Sequence, residues 1–340
     1  MPNPLKLANV WRVLRDVDLT SVRAAARARF SLAFVSETGE DAIRLRALIS
    51  KGLPEPLSWI TCAPAADVSL LPLQDAYAAV VVAREAELSP LLRQAATRFA
   101  DAGVPVLTVV VGDVSPHAAV IRAGERTRLT THALDDAAVE RVATALSDAV
   151  NENRRIALAA QLPLLRRAVF SRTIDDTARA NASFALTTGL AEAIPVLSAP
   201  LNLGDMVVLT KNQLMMCYRI ALAAGRDGEP RALMTEILGV LGGGVLFRQA
   251  ARSLVGLLPI VGVIPKVAIA YAGTHAIGRA MVLWTVEGKQ VTSDLVAKYA
   301  RESLAKGHAF ADRLTRESGE RASASRLERL RRYLPGVGRR

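Results

Sequence analysis

The sequence is poor in the side chains that build metal and redox sites. Its 340 residues include 2 cysteines and 4 histidines. Cys62 and Cys217 lie far apart and carry no metal-ligand spacing, so no metal and no cofactor is expected, and both read as buried thiols of a reducing compartment. Aromatic residues make up 4%. Without basic–aromatic interleaving or a recognition-helix motif, nucleic acid is disfavoured as a partner. A secretory apolar core is missing too: Arg12, Arg15, Asp16, Asp18 and Arg23 interrupt the first 25 residues, and the chain is expected to start in the cytoplasm.

What the chain has is aliphatic bulk and positive charge. Half of it (51%) is hydrophobic and the mean hydropathy is +0.24. A soluble domain usually sits below zero, so part of this surface is deeply buried or meets lipid. The net charge of +11 attracts anions. Residues 301–340 hold 11 Arg and Lys against 5 Asp and Glu, a net of +6, so most of the excess lies in the last eighth of the chain. The length itself suggests two domains.

Hydrophobic spacing divides the chain near residue 152. Residues 5–17 read as an amphipathic helix, with Leu7, Val10, Trp11 and Leu14 on one stripe, packed on the following domain or lying on a membrane surface. From Phe30 short apolar runs alternate with helical periods. Strands are expected at residues 30–36, 59–62, 76–83 (AYAAVVVA), 104–111 and, more weakly, 127–134. Helices are expected at 41–50, 88–102 and 135–151. Such alternation predicts a doubly wound α/β domain, a parallel sheet with helices on both faces and its ligand site beyond the carboxyl ends of the strands. After residue 152 only helical periods remain. They cover 154–168 with a kink at Pro163, then 174–194, a helix opened by Gly204-Asp205 and running to 224, and 231–245, 246–258, 265–285 and 291–306. Residues 319–340 read as a poorly ordered arginine-rich tail, although Arg326, Arg329, Arg331 and Arg332 could form a helical turn with Leu327, Leu330 and Leu334.

A further absence concerns phosphate chemistry. A G-x-x-x-x-G-K-[ST] loop needs glycines so that backbone N–H groups close on the phosphates, a lysine for the β and γ oxygens, and a hydroxyl for magnesium. The strand–turn–helix at residues 30–46 carries Ser36-Glu37-Thr38-Gly39-Glu40-Asp41-Ala42-Ile43 instead. Ser36 falls at the first glycine, Asp41 at the second, Ala42 at the lysine and Ile43 at the hydroxyl. No lysine occurs between Lys6 and Lys51. Glu40 and Asp41 put carboxylates where a polyphosphate would lie, and like charges at close range repel strongly in a dry site. After the 104–111 strand, where a guanine-reading Asn-Lys-x-Asp would stand, the chain has Val111-Gly112-Asp113-Val114; Asp113 is either a remnant or an ordinary strand-end turn residue. No catalytic residue is expected.

The layout of the first half, with its helix Trp11-Arg12-Val13-Leu14-Arg15-Asp16-Val17-Asp18-Leu19 ahead of the first strand, resembles bacterial Era/dynamin-like GTPase domains. The second half resembles the YcjF-like, GTPase-associated membrane domains of unknown function. That likeness rests on Ala193-Ile194-Pro195, Pro200, Asp205, Lys211 with Gln213, Met216, Gly242-Gly243-Gly244, Leu258-Pro259-Ile260-Val261-Gly262 and residues 271–279 (YAGTHAIGR), and it covers roughly residues 180–291. It implies a helical domain beside a P-loop GTPase-like one, at the cytoplasmic side of the inner membrane, peripheral or inserted as a hairpin. It implies no catalytic residue for this half.

The expected organisation is therefore an N-terminal helix (1–29), a degenerate GTPase-like α/β domain (30–152), a helical membrane-associated domain (153–306) and a basic tail (307–340). The expected function is a non-catalytic regulator or partner of an active GTPase; the alternative is a GTP-binding hydrolase with a non-standard loop. The low-charge stretch 253–275, broken by Pro259, Gly262, Pro265 and Gly273, fits a bent hairpin entering one leaflet with Lys266 snorkelling, or a soluble bundle packed through glycines. Lys266, Arg326, Arg329, Arg331 and Arg332 are the candidate anionic-lipid contacts. Asp205, Gln213 and His275 are polar among apolar helices, as caps, as satisfied interior hydrogen bonds, or as a polar pocket.

Overall fold

Runs of valine and alanine that are apolar on both sides of the strand can be satisfied only in a sheet covered on both faces. The computed structural model, which describes residues 14, 17–54, 57–71, 73, 76–112, 121–123, 126–192, 201–241 and 263–333, has such a sheet. The chain forms two compact units: an α/β unit of Asp18–Thr173 with Arg219–Leu233, and a helical unit of Met1–Val17, Ile174–Tyr218 and Met234–Arg340.

The α/β unit opens with α1 (Leu19–Ala26), a helix the periodicity did not reveal. Asp18 caps it, its carboxylate accepting the N–H groups of Thr20 and Ser21 at 3.0 Å. Then follow β1 (Ser31–Ser36), α2 (Glu40–Ile49), β2 (Ile60–Pro64), a 3₁₀ turn (Ala65–Leu70), β3 (Ala76–Ala83), α3 (Pro90–Asp101), β4 (Val106–Val111), β5 (Ile121–Ala123), β6 (Arg126–Thr131), α4 (Asp136–Ala149) and α5 (Glu152–Gln161). The sheet order is β2-β1-β3-β4-β6-β5; the first five strands are parallel, and β5 runs antiparallel at the edge. In the register, Phe34 lies beside Cys62 on one side and Val80 on the other.

Alternate residues divide the sheet faces. Ala33, Val35, Ala79, Val81 and Val106 pack with Leu92, Ala95 and Phe99 of α3 and with Val68 of the 3₁₀ turn. Leu32, Phe34, Val80 and Leu107, of opposite parity and fully buried, face the side of α2 and α4, which touch each other. Burying a side chain such as Phe99 contributes about 1.5–3 kcal/mol. Capping residues fix the helix starts: Ser89 before Pro90, Asp135 before α4 and Asn151 before α5 each accept a first-turn N–H. Pro163 does not kink a helix. It opens a 3₁₀ turn (Pro163–Leu165) that separates α5 from α6 (Arg166–Glu192), because proline lacks the N–H that α5 would need to continue. Residues 219–233 are held in this unit by Asp227, which pairs with Arg23 at 3.0 Å and with Arg27, and by Arg219 on Glu152 at 3.0 Å.

The helical unit contains α6 from Ile174 onward, α7 (Leu201–Ala223) to Tyr218, α8 (Pro230–Val240) from Met234, α9 (Val263–Glu287) and α10 (Ser293–Tyr333). α6 is unbroken where two helices were expected, α7 begins ahead of Gly204-Asp205, and α10 continues to Tyr333 through much of the expected tail. α9 and α10 form an antiparallel hairpin: Ala268 meets Gly307, His275 meets Ser303, and Arg279 pairs with Glu302 at 2.6 Å. Val267, Tyr271, Ala178, Ala182, Leu186 and Ala311 form a core of α6, α9 and α10. No helix among the described residues is long and apolar enough to cross a membrane. Of the expected hairpin, residues 253–262 lie outside the described residues; from 263 onward the stretch is the start of α9, where Val267, Ala268, Ala272 and Thr274 are buried in protein.

Candidate functional site

β1 has β2 on one side and β3 on the other, so the chain direction across the sheet reverses there. A crevice at the carboxyl ends of β1 and β3 is the standard ligand position of such sheets. The molecule has a cavity of about 510 Å³ at this point, lined by Glu37, Glu40, Asp41, Arg84, Glu85 and Glu87 among others. That volume suits a small-molecule ligand. Its charge does not suit a polyphosphate, with five carboxylates against one guanidinium among the described residues.

The strand-to-helix turn is only Glu37-Thr38-Gly39, too short to wrap a phosphate. Its chemistry is turned inward. The buried Ser36 hydroxyl accepts the N–H of Ala42 at 3.2 Å, and Thr38 Oγ1 accepts the N–H of Glu40 at 3.5 Å. A helix N-terminus binds anions because its first N–H groups are free and its dipole is uncompensated. Here hydroxyls of the turn take two of those N–H groups, and Glu40 and Asp41 in the first turn balance the dipole. Gly39 adopts φ +88°, and a Cβ there would lie 3.3 Å from the backbone nitrogen of Pro64, so glycine serves the turn rather than a ligand.

Among the described residues, the cation that lines the cavity is already engaged. Arg84, just past β3, donates through Nε and Nη2 to the two carboxylate oxygens of Asp41 at 2.7 and 2.5 Å. Hydrogen bonding and charge from Asp41 hold the guanidinium above its ordinary pKa. Glu37 accepts a hydrogen bond from Ser89 Oγ at 2.8 Å, the same hydroxyl that caps α3. Ala42 is fully buried, while Ile43 is exposed and offers no metal ligand. Cys62 Sγ reaches the Ala42 carbonyl at 3.7 Å, and burial pushes its thiol pKa up, away from reactivity. At the guanine-reading position Gly112 ends beside the Arg84 carbonyl; Asp113 and Val114 lie outside the described residues.

Ser36→Ala should cost about 1 kcal/mol, the usual value of an N-terminal helix cap, read as a lower urea midpoint at unchanged m-value. Arg84→Ala removes an exposed guanidinium from a half-buried Asp41 and should cost about 0.5–1 kcal/mol, the upper range for a surface pair.

The structure brings together a second polar group that sequence reading only touched, through Gln213 and His275. In the helical unit, Thr274 Oγ1 accepts from Asn181 Nδ2 at 2.9 Å and from Gln213 Nε2 at 3.0 Å, while Asn212 Nδ2 donates to Asn181 Oδ1 at 2.8 Å. Gln213 is thus hydrogen-bonded within the helical unit, one of the roles expected of it. Close by, His275 Nδ1 and Ser303 Oγ are 2.9 Å apart, His275 Nε2 is 3.7 Å from Asp175 Oδ1, and Tyr271 donates its hydroxyl to Asp175 at 3.3 Å. This Asp–His–Ser set is not a hydrolase triad: Ser303 is 2% exposed, so no substrate carbonyl reaches its oxygen. Signals for this group were present in the spacing of YAGTHAIGR, whose Tyr271, Thr274, His275, Gly278 and Arg279 all make contacts within the helical unit. Met216 is buried.

Other expected residues fall elsewhere. Lys266 is exposed near the start of α9. Arg326, Arg329, Arg331 and Arg332 belong to the last turns of α10, and their side chains, like that of Asp205, are outside the described residues. So are Leu7, Val10, Trp11, Ala193-Ile194-Pro195, Pro200, Gly242-Gly243-Gly244 and residues 258–262. Among the described residues no group of His, Cys, Asp or Glu is arranged to hold a metal. No protein-family model, curated protein or solved structure matches the chain.

Proposed function

We propose that this protein is a non-catalytic partner or regulator of an active GTPase, built on a pseudo-GTPase α/β scaffold and working at an anionic membrane surface. The observation that carries the reading is the switch-point crevice. It stands where a P-loop GTPase would hold its nucleotide, yet its helix N-terminus is neutralised by Glu40 and Asp41 and its Arg84 is bound to Asp41. An enzyme that transfers phosphoryl groups needs positive charge on the transferring phosphate, and this crevice supplies the opposite sign. The scaffold then serves recognition, in which a partner contributes the chemistry.

The membrane part of the proposal draws on the charge of the chain's end. Residues 301–340 carry a net of +6, and α10 extends as a helix to Tyr333. On that helix, positions 327 and 330 fall on one side, with arginines at 326 and 331 flanking them, an arrangement suited to anionic headgroups. Each cation near such a surface contributes about 1 kcal/mol. Flotation of the full chain with vesicles tests it. Binding to phosphatidylserine-containing vesicles, lost with neutral phosphatidylcholine or on truncation after residue 318, is the expected result. A protein that stays at the bottom of every gradient would contradict it. The GTPase part predicts no release of phosphate from GTP by the chain alone; turnover would support instead a hydrolase with a non-standard loop.

A further inference from the structure

His275 lies in the contact between α9, α6 and α10, with groups of all three helices around its ring. Ser303 of α10 meets Nδ1 at 2.9 Å, and Asp175 of α6 faces Nε2 at 3.7 Å, beyond hydrogen-bond distance. Tyr271, one turn earlier on α9, stacks on the ring with centroids 5.9 Å apart and ties its own hydroxyl to Asp175. Phe310 of α10 packs against Tyr271, at 5.5 Å between ring centroids.

The charges around the ring decide how it takes a proton. On α9, Arg279 lies one turn on, bound to Glu302 of α10 at 2.6 Å. The charge of Lys306 on α10 opposes a proton on the ring, and on α6 Arg179 acts on Tyr271. Asp175 of α6 puts a carboxylate beside the imidazole, and it already accepts from Tyr271. Tyr271, its pKa pushed up to about 12 chiefly by burial, remains a neutral donor across the physiological range. A proton on His275 therefore enters a place where the side chain is only 12% exposed and Asp175 stands beyond hydrogen-bond distance of Nε2. Burial opposes the charge, Asp175 offsets part of that cost, and Lys306 and Arg279 add to it.

We propose that His275 is a pH-sensitive latch: with a neutral ring, α10 is seated on α6 and α9, and proton uptake loosens that seating. The backbone gives α10 little room to adjust, since Gly307 lies directly on Ala268 of α9. The proposal is independent of whether the α/β unit holds nucleotide. It matters for the whole chain because α10 also carries positions 326–332 at its far end.

The sign follows from linkage. Desolvation is the main cause holding His275 below its ordinary value of 6.5, and Asp175 only partly counters it. The unfolded or released ring thus binds the proton more tightly than the seated one. The latch is complete above about pH 6.5 and is lost as the pH falls through the lower folded value.

Amide hydrogen exchange of α10 in the full-length protein between pH 7.5 and 5.0, corrected for the intrinsic exchange rate, tests the latch. In the wild type the opening of α10 should rise by up to about tenfold for each pH unit by which the seated ring is held below 6.5. In His275→Gln that component should vanish. Equal pH dependence in both proteins would overturn the proposal. Should His275→Gln fail to fold, carbon-13 titration of the His275 ring in the wild type replaces it. A ring titrating below 6.5 in step with loss of α10 protection supports the latch; a ring titrating at or above 6.5, or without change in α10, overturns it.

Discussion

Thr274→Val should destabilise the protein by about 1–3 kcal/mol, although it removes no volume and places an apolar group among apolar helices. The Thr274 oxygen accepts from both Asn181 and Gln213. Asn181 is completely buried and keeps only the Leu209 carbonyl at 3.5 Å once the acceptor is gone, whereas Gln213 is half-buried and can turn toward water. Leaving a buried donor unsatisfied costs about 1–3 kcal/mol, and Asn181 bears most of it. A urea titration at unchanged m-value measures the effect. Restoring the hydroxyl with Ser should recover most of the loss and leave only the cost of a missing methyl. The network joins side chains from α6, α7 and α9 and is closed among them. Such a group adds less net stability than it costs to break.

Gly307→Ala is the second large effect, with an expected net loss of about 2 kcal/mol. A Cβ at this position would lie 2.6 Å from the Ala268 carbonyl oxygen and 3.2 Å from its Cα. Both are backbone atoms of α9, so no rotamer change relieves the clash, and the two helices must separate. Alanine's better helix propensity, worth about 1 kcal/mol, offsets only part of this. Two other glycines calibrate it. At Gly278 the added Cβ would lie 2.5 Å from Cγ1 and 3.1 Å from Cγ2 of Ile174, a buried β-branched side chain with little rotamer freedom. Gly278→Ala should therefore also destabilise, by less than Gly307→Ala because a side chain rather than backbone must give way. At Gly273 nothing lies within 4 Å, and Gly273→Ala should be neutral or stabilising. Thermal midpoints of the three variants should rank in that order.

The α/β unit was largely legible. AYAAVVVA matches β3 to the residue because a strand apolar on both faces leaves no other reading of that length and branching. The turn after β1 was recognised from the same contrast between apolar run and polar loop. α1 falls inside the segment 1–29 expected to hold an N-terminal helix but beyond the stripe at 5–17, because eight residues with two buried positions, Leu19 and Ala26, carry little periodic signal. β5 is three residues and is defined by its pairing with β6 rather than by its own composition. In the second half, helix content was readable and helix limits were not. An alanine-rich chain has good propensity nearly everywhere, so α6 runs through where a break was expected.

The polar contacts were hidden for a different reason. Periodicity tells which face of a helix is apolar, yet Asn181 and Thr274 are 93 residues apart. Nothing local indicates that they meet. Pro163 shows the converse: its effect on the backbone was certain, but whether it bends one helix or divides two depended on tertiary packing.

For the crevice, the sequence supplied the missing lysine and the carboxylates, while the structure supplied their geometry. Glu40 and Asp41 are not merely in the way. They neutralise the dipole that would attract a phosphate, and Asp41 occupies the cation that could have replaced the lysine. The most direct test of a phosphate-excluding scaffold is equilibrium binding of labelled GTP and GDP to the full-length protein with magnesium present. The expected result is no saturable binding of either up to millimolar concentration, with or without magnesium. Magnesium-dependent binding in the micromolar range would contradict the account.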